Sequence, residues 1–409
     1  MTGTTETAAP LIFLIAGEPS GDQLGARLMA ELKAETQGRV RFAGVGGERM
    51  QAEGLQSLFP MSDLSVMGLA EVLPHLAKIL RRMRQTVAAA RAARPDAVVT
   101  IDSPSFSLRV MRKLAGIGCP RIHYVAPQVW AWKPWRARTM AGYLDHLLAL
   151  LPFEPPIFEQ HGLATSFVGH PVVETAGRTF DADGFRRAHT IPQQAPVICL
   201  LPGSRKSEVK RLLPVFEETV VRLADRLPDL HVVLPTVAGV ARRVRRATRA
   251  WPVPVTVVTG AENRYAAFAA AHAAIAASGT VAVELAVAQV PAVIAYRVNR
   301  VTAFLARRLI RVRYVSLPNL VMDRAIQPEM LQQDCTPGKL ADALQPLLDD
   351  TERRAAYVSA CQEAARALGA FGEPPSRKAA RIVLREVGEH GQGGDHHNQI
   401  RSPASGAGV

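Results

Sequence analysis

Residues 11–22 read LIFLIAGEPSGD, and residues 197–208 read VICLLPGSRKSE. Each is a short apolar run that ends in a glycine-bearing turn and passes into a helical pattern. A run that is apolar throughout, not alternating, is expected to be a strand buried on both faces. A strand–turn–helix unit that restarts halfway along a chain implies two doubly wound parallel sheets. Outward from the first stretch come RFAGVGG (41–47), a long helical pattern at 67–93, DAVVTID (96–102), RIHYVA (121–126) and LLALLPF (147–153). Outward from the second come HVVLPT (231–236), VTVVTG (255–260), AAIAAS (273–278) and PAVIAY (291–296). The expected fold class is α/β, with two Rossmann-type domains facing a cleft at the C-terminal ends of their strands. The expected boundaries are 8–175 for the acceptor side, 176–365 for the donor side, and 366–390 for a helical segment packing back on the first domain. The remainder, 391–409, is rich in Gly, Ser, His and Asn and is expected to be disordered.

The 409 residues are 48% hydrophobic with a formal net charge of +13. That charge points to an anionic partner such as a phosphorylated substrate or a membrane surface. The basic residues come in small groups, RRMR at 81–84 and RRVRR at 242–246, with no zinc-finger spacing or RNA-binding aromatic signature, so nucleic acid is not expected. Cys119, Cys199, Cys335 and Cys361 are widely separated, which implies neither a metal site nor a disulfide framework and suits a reducing cytosol. The N-terminus has no basic region ahead of its apolar run and is not read as a secretion signal. The nearly uncharged stretch 265–296 contains Gly279, Glu284 and Pro291, and reads as helix, strand, helix, strand instead of a membrane span.

Five stretches carry candidate chemistry. In LPGSRKSE, Ser204 and Arg205 follow a strand, where a guanidinium suits a diphosphate in fork geometry; an ordinary exposed arginine at a helix start is the alternative. In SGTVAVELA (278–286), Ser278, Gly279 and Thr280 open a helix whose N–H groups and dipole favour an anion. Glu284 lies one turn on, where it is expected to accept from ribose hydroxyls or sit on the helix surface; buried, it needs a partner. In TIDSPSF, Asp102 ends a strand and is either a general base or an N-cap for the helix near Ser105. HYVAPQVWAWKPWRAR (123–138) sets Trp130, Trp132 and Trp135 beside cations, for a lipid headgroup or for core packing. The 67–84 helix places Leu69, Leu73 and Leu76 on one face and ends in Arg81 and Arg82; it is either buried or laid on a membrane.

AGEPSGD, GVGG, IDSPSF, VAPQVWAW, VGHPVVE, LPGSRKSEV, SGTVAVELA and LPNLVMD occur in this order over residues 11–335. Together they resemble the lipid-A-disaccharide synthase family. The resemblance implies a GT-B fold and an inverting transfer of diacylated glucosamine from UDP to the 6-hydroxyl of diacylglucosamine 1-phosphate (lipid X), at the cytoplasmic face of the inner membrane. It implies no cofactor and no metal, and leaves an oligomer open. It places Ser204, Arg205, Ser278, Gly279, Thr280 and Glu284 at the UDP site with Ser20 and Gly21 close by. Asn319, Trp130 and Trp132 fall on the acceptor side. Asp102 or Glu18 is then the base, and Asp22 caps the helix that follows it. The rival functions are a UDP-sugar 2-epimerase of the same fold and a non-catalytic membrane scaffold.

Overall fold

A computed structural model describes residues 9–64, 69–132, 135–277, 279–299 and 312–399, with backbone alone at 69–75, 131–132 and 391–399. The chain divides into two units, residues 1–171 with 373–409, and residues 172–372. Each is built on a six-stranded parallel sheet.

The first sheet comprises β1 (Leu11–Ala16), β2 (Arg41–Val45), β3 (Ala97–Ile101), β4 (Arg121–Tyr124), β5 (His146–Ala149) and β6 (Ala164–Phe167), in the order β2-β1-β3-β4-β5-β6. Successive residues of β1 point to opposite faces, and both faces are covered. Phe13 and Ile15 join one core cluster; Ile12 and Leu14 join another. This is why the run could not alternate in polarity. Ala379, Ala380, Ile382 and Val383 of the last helix complete the second cluster, so the C-terminal segment belongs to the first unit. That helix runs Pro375–Gln399, into the stretch expected to be disordered; residues 400–409 lie outside the described residues.

The second sheet comprises β7 (Val197–Leu201), β8 (His231–Thr236), β9 (Val255–Thr259), β10 (Ala273–Ala277), β11 (Ala292–Tyr296) and β12 (Glu329–Leu331), in the order β12-β11-β10-β7-β8-β9. The edge strands β6 and β12 have no continuous apolar run and were absent from the sequence reading. Winding reverses between β1 and β3 in the first sheet and between β7 and β10 in the second. At such a reversal the two flanking connections leave on opposite sides and open a crevice beyond the strand ends. The register aligns them: Ala16 pairs with Ile101, and Leu201 with Ala276. AGEPSGD therefore emerges beside Asp102, and PGSRKSE beside Gly279. Among the described residues no helix is long and apolar enough to cross a membrane.

Candidate functional site

A cavity of about 570 Å³ lies in the second unit, walled by the residues that follow β7, β8, β9 and β10. Four helices begin at its wall: Lys206–Ala224, Ala238–Ala247, Ala261–Ala270 and Thr280–Val287. Each brings unsatisfied N–H groups and the positive end of its dipole to one place, which favours a multiply charged anion.

The β7 loop is held by its own helix. The Glu208 carboxylate accepts from the N–H of Ser204 at 3.0 Å and of Arg205 at 3.1 Å, and from Arg205 Nη1 at 3.2 Å. Gly203 has φ of 102°, and a Cβ there would lie 2.3 Å from Glu208 Oε2. The Arg205 side chain stays 68% exposed at the cavity wall. Gly279, with φ of 137°, and Thr280 line the same cavity from the end of the neighbouring strand β10. Ser278 lies outside the described residues.

Glu284 is not on that wall. It is 7% exposed, and its Oε1 takes Arg264 Nη2 at 3.0 Å and the Tyr265 hydroxyl at 3.4 Å. Burial raises its pKa, opposed by the Arg264 charge. The partner that a buried glutamate requires is thus Arg264, which does line the cavity and was missed in the sequence. One arginine in AENRYAAF carries no local signal; only the crossover from β9 to β10 sets it against Glu284. Asn319 is also elsewhere. Its amide nitrogen donates to Gln327 O at 2.7 Å and Glu329 Oε1 at 2.8 Å, and its oxygen accepts from the N–H of Ile326 and Gln327, each at 2.8 Å. All its hydrogen-bonding capacity is spent bracing the loop before β12, so it has nothing left for a sugar.

In the first unit, Asp102 ends β3 with φ of 52°, followed by Ser103 at 47°. Two consecutive left-handed residues other than glycine store strain on the order of 1–3 kcal/mol each, as functional sites often do. Asp102 Oδ2 accepts from the Ser20 hydroxyl at 3.0 Å, and Oδ1 from the Ser103 N–H at 2.8 Å. The helix that follows is Pro104–Lys113, with Ser103 at its N-cap and no side-chain cap. Asp102 is therefore held across the winding reversal and does not cap that helix. Glu18 is exposed at the N-cap position of Pro19–Glu35, and Gly21 is packed so closely that a Cβ would sit 3.1 Å from Ile101 O.

Asp22 corrects the expectation that it caps its own helix. It is 5% exposed and accepts from the N–H of Gly47 at 2.8 Å and of Arg49 and Met50 at 3.1 Å, so it caps the short helix Glu48–Ala52 after GVGG. A Cβ on Gly47 would lie 2.6 Å from Asp22 Oδ2, which explains why that motif ends in glycine.

Trp130 donates to the buried Glu154 at 3.1 Å and packs edge-on against Phe153 at 5.2 Å. Its polar atom is thus engaged internally, while Trp135 is 64% exposed; the Trp132 side chain is outside the described residues. On the helix Leu69–Ala93, Met83 and Ala90 enter the core, whereas Leu76 and Leu80 are exposed. Arg82 is bound to Asp63 at 2.6 Å and lies over the Phe59 ring, and Lys78 also pairs with Asp63. Arg81 and Arg84 are exposed beside Leu80, as is Lys78. The side chains of Leu69 and Leu73 are outside the described residues.

A family profile described as lipid-A-disaccharide synthetase matches residues 12–383. The lipid-A-disaccharide synthase of Rhodospirillum centenum is 57% identical over 379 residues, covering 92% of this chain and 94% of that protein. That of Paramagnetospirillum magneticum is 53% identical over 378 residues, covering 91% and 97%. Among solved structures, a UDP-GlcNAc 2-epimerase from Neisseria meningitidis bound to UDP-GlcNAc aligns with a TM-score of 0.59 at 11% identity, covering 93% of this chain and all of that one. The kitacinnamycin glycosyltransferase aligns at 0.61 and 19%, covering 93% and 100%. At such identities these two share the fold alone. The twin reversals, the anion cavity and the near-complete match to the synthase profile converge: the chain belongs to the lipid-A-disaccharide synthase family, glycosyltransferases of the GT-B fold.

Proposed function

We propose that the chain transfers 2,3-diacylglucosamine from UDP to the 6-hydroxyl of 2,3-diacylglucosamine 1-phosphate, with inversion. The observation that carries the donor half is the cavity at four helix N-termini with Arg205 and Arg264 in its wall. Its chemistry suits a nucleoside diphosphate. The new bond forms between the acceptor oxygen and the anomeric carbon while the bond from that carbon to the diphosphate breaks. Asp102 takes the hydroxyl proton, and the electron pair leaves with UDP. Charge growing on the diphosphate is met by oriented N–H groups and guanidinium, stabilisation that needs no reorganisation in the transition state. Glu18 is the second candidate for the base, at the same reversal.

The acceptor's acyl chains stay in the cytoplasmic leaflet of the inner membrane in this reading. Leu76 and Leu80, exposed beside Arg81 and Arg84, support peripheral contact there. The decisive experiment is mass spectrometry of the product from acylated UDP-glucosamine and lipid X, with and without EDTA. A disaccharide 1-phosphate formed equally in both is expected. Conversion of the UDP-sugar with no acceptor would establish the epimerase instead, and loss of turnover in EDTA restored by Mg²⁺ would overturn the metal-free charge balance.

A further inference from the structure

The net charge of +13 is unevenly spread, and the functional reading leaves its densest part unused. Between Leu230 and Ala261 there are five arginines and no aspartate or glutamate. Arg242, Arg243, Arg245, Arg246 and Arg249 lie on the helix Ala238–Ala247 or in the turn that continues it, Thr248–Ala250, and all are exposed. The helix turns Val240, Ala241 and Val244 into the core. That leaves Arg242, Arg245, Arg246 and Arg249, at the i, i+3, i+4 and i+7 spacing of one face, on the side away from it. Among the described residues none of the five is in an ion pair, whereas Arg264, Arg324, Arg353, Arg377 and Arg381 each hold a carboxylate. Like charges three and four residues apart oppose the helix that carries them. The helix dipole offsets this for Arg245 and Arg246 in the last turn, but not for Arg242 and Arg243 further in.

A cationic cluster of this size on an amphipathic helix fits a surface of phosphate headgroups. Nucleic acid fits less well, because no aromatic ring interleaves the arginines of residues 237–250 to stack a base, and Trp251 is buried. The cluster also has a place relative to the cavity. Val237, 44% exposed, and Ala238 line the cavity wall, and the helix leaves from there, so the arginines begin one turn beyond the donor site. We propose that this arginine face is a membrane contact of the second unit, binding the phosphate headgroups of anionic phospholipid. This rests on the proposed function, in which the donor is itself a lipid: a nucleotide whose sugar carries two acyl chains is drawn from a bilayer, and the unit that grips its diphosphate then works against that bilayer. The contact differs in kind from that of the first unit, where Leu76 and Leu80 offer apolar surface beside cations. Here the attraction is electrostatic, so it decays over about 10 Å at 0.1 M salt and is screened away as salt rises.

The test is sedimentation of the full chain with vesicles of phosphatidylcholine, alone or in equal mixture with phosphatidylglycerol, at low and high salt. The variants are the triple Arg242→Gln/Arg245→Gln/Arg246→Gln, the same triple to Lys, and a charge-matched control, Arg324→Gln/Arg353→Gln/Arg366→Gln, at exposed positions elsewhere in the unit. The glutamine triple is expected to weaken binding to anionic vesicles about a hundredfold at low salt, from roughly fivefold per charge, and much less at high salt. It should melt no lower than the parent, since like charges are removed from one face. The lysine triple should bind like the parent, because a headgroup surface responds to charge and not to fork geometry. Should the glutamine triple not fold, the single variants Arg242→Gln and Arg246→Gln carry the same comparison at about fivefold each. Undiminished vesicle binding in the glutamine triple would overturn the contact. So would an equal loss in the control, which would reduce the effect to net charge, or an equal loss in the lysine triple. Loss of single-stranded RNA binding with vesicle binding intact would assign the face to nucleic acid instead. None of these readouts uses turnover. A parent that binds anionic vesicles through this face yet makes no disaccharide from acylated UDP-glucosamine and lipid X would keep the surface and lose the transferase reading.

Discussion

At the scale of single residues, Asp102 is the sharpest case. Its two oxygens accept from a serine hydroxyl and a backbone N–H; an asparagine can keep the Ser103 N–H on its amide oxygen and donate from its amide nitrogen to Ser20 Oγ, whose hydroxyl then turns away. Asp102→Asn is therefore expected to leave the melting temperature and UDP binding near the parent while turnover falls about 10²–10⁴-fold, the range for losing a general base. Turnover near the parent value would transfer the role to Glu18. Glu154 gives a pH prediction. Burial pushes its carboxyl up to about 7, against the lowering effect of the Leu150 and Leu151 N–H groups and Trp130. The folded state thus keeps a proton that the unfolded chain releases near 4.5, and this group's contribution to stability falls as pH rises from 4.5 to 7. The buried His123, held down to about 3, acts oppositely below 6.5, because the unfolded chain takes up its proton first. Comparing melting of the parent and Glu154→Gln across pH 5–7 isolates the glutamate. The variant's stability relative to the parent should rise with pH; a constant difference would show Glu154 ionised throughout.

Among the elements, the helix Leu69–Ala93 separates two roles by face. Met83 and Ala90 carry it into the core, and Leu76 and Leu80 at 40% and 38% exposure do not. The double substitution Leu76→Glu, Leu80→Glu should change stability little, as exposed positions usually allow, roughly within 0.5 kcal/mol each. It should weaken binding to anionic vesicles and slow turnover on vesicle-bound acceptor, with a short-chain acceptor in detergent much less affected. A drop of several degrees in melting, with both acceptors slowed alike, would make this face part of the fold.

For the whole molecule, the second unit is continuous in sequence but the first is closed by the C-terminal helix. Ala379, Ala380, Ile382 and Val383 cover the sheet face that carries Ile12, Leu14 and Val99, while the ion pairs Arg377–Glu31 and Arg381–Glu35 lie at the exposed rim. Exposed pairs of that kind contribute little, so the burial is what matters. A chain ending at Gly372 is expected to lose the first unit's thermal transition, or show it many degrees lower. A UDP-dependent shift of the second unit's transition should persist. If the truncated chain melts like the parent, the last helix is an ornament.

The two parallel sheets are legible in the amino-acid order, because strands buried on both faces must be apolar nearly throughout. So are the turns that end β1, β3, β7 and β10, because glycine, proline and acidic residues interrupt those runs sharply. The strands β6 (ATSF) and β12 (EML) were illegible, since edge segments so short and partly polar show no apolar run. What each polar side chain holds depends instead on how the elements are brought together. Asp22 caps a helix beyond the next strand, Asn319 spends every hydrogen bond on one loop, and Glu284 faces Arg264 across a crossover. A hydrophobic run is constrained by its own burial and can be read locally; a hydrogen bond needs a partner, and the partner's place is set by strand order and register.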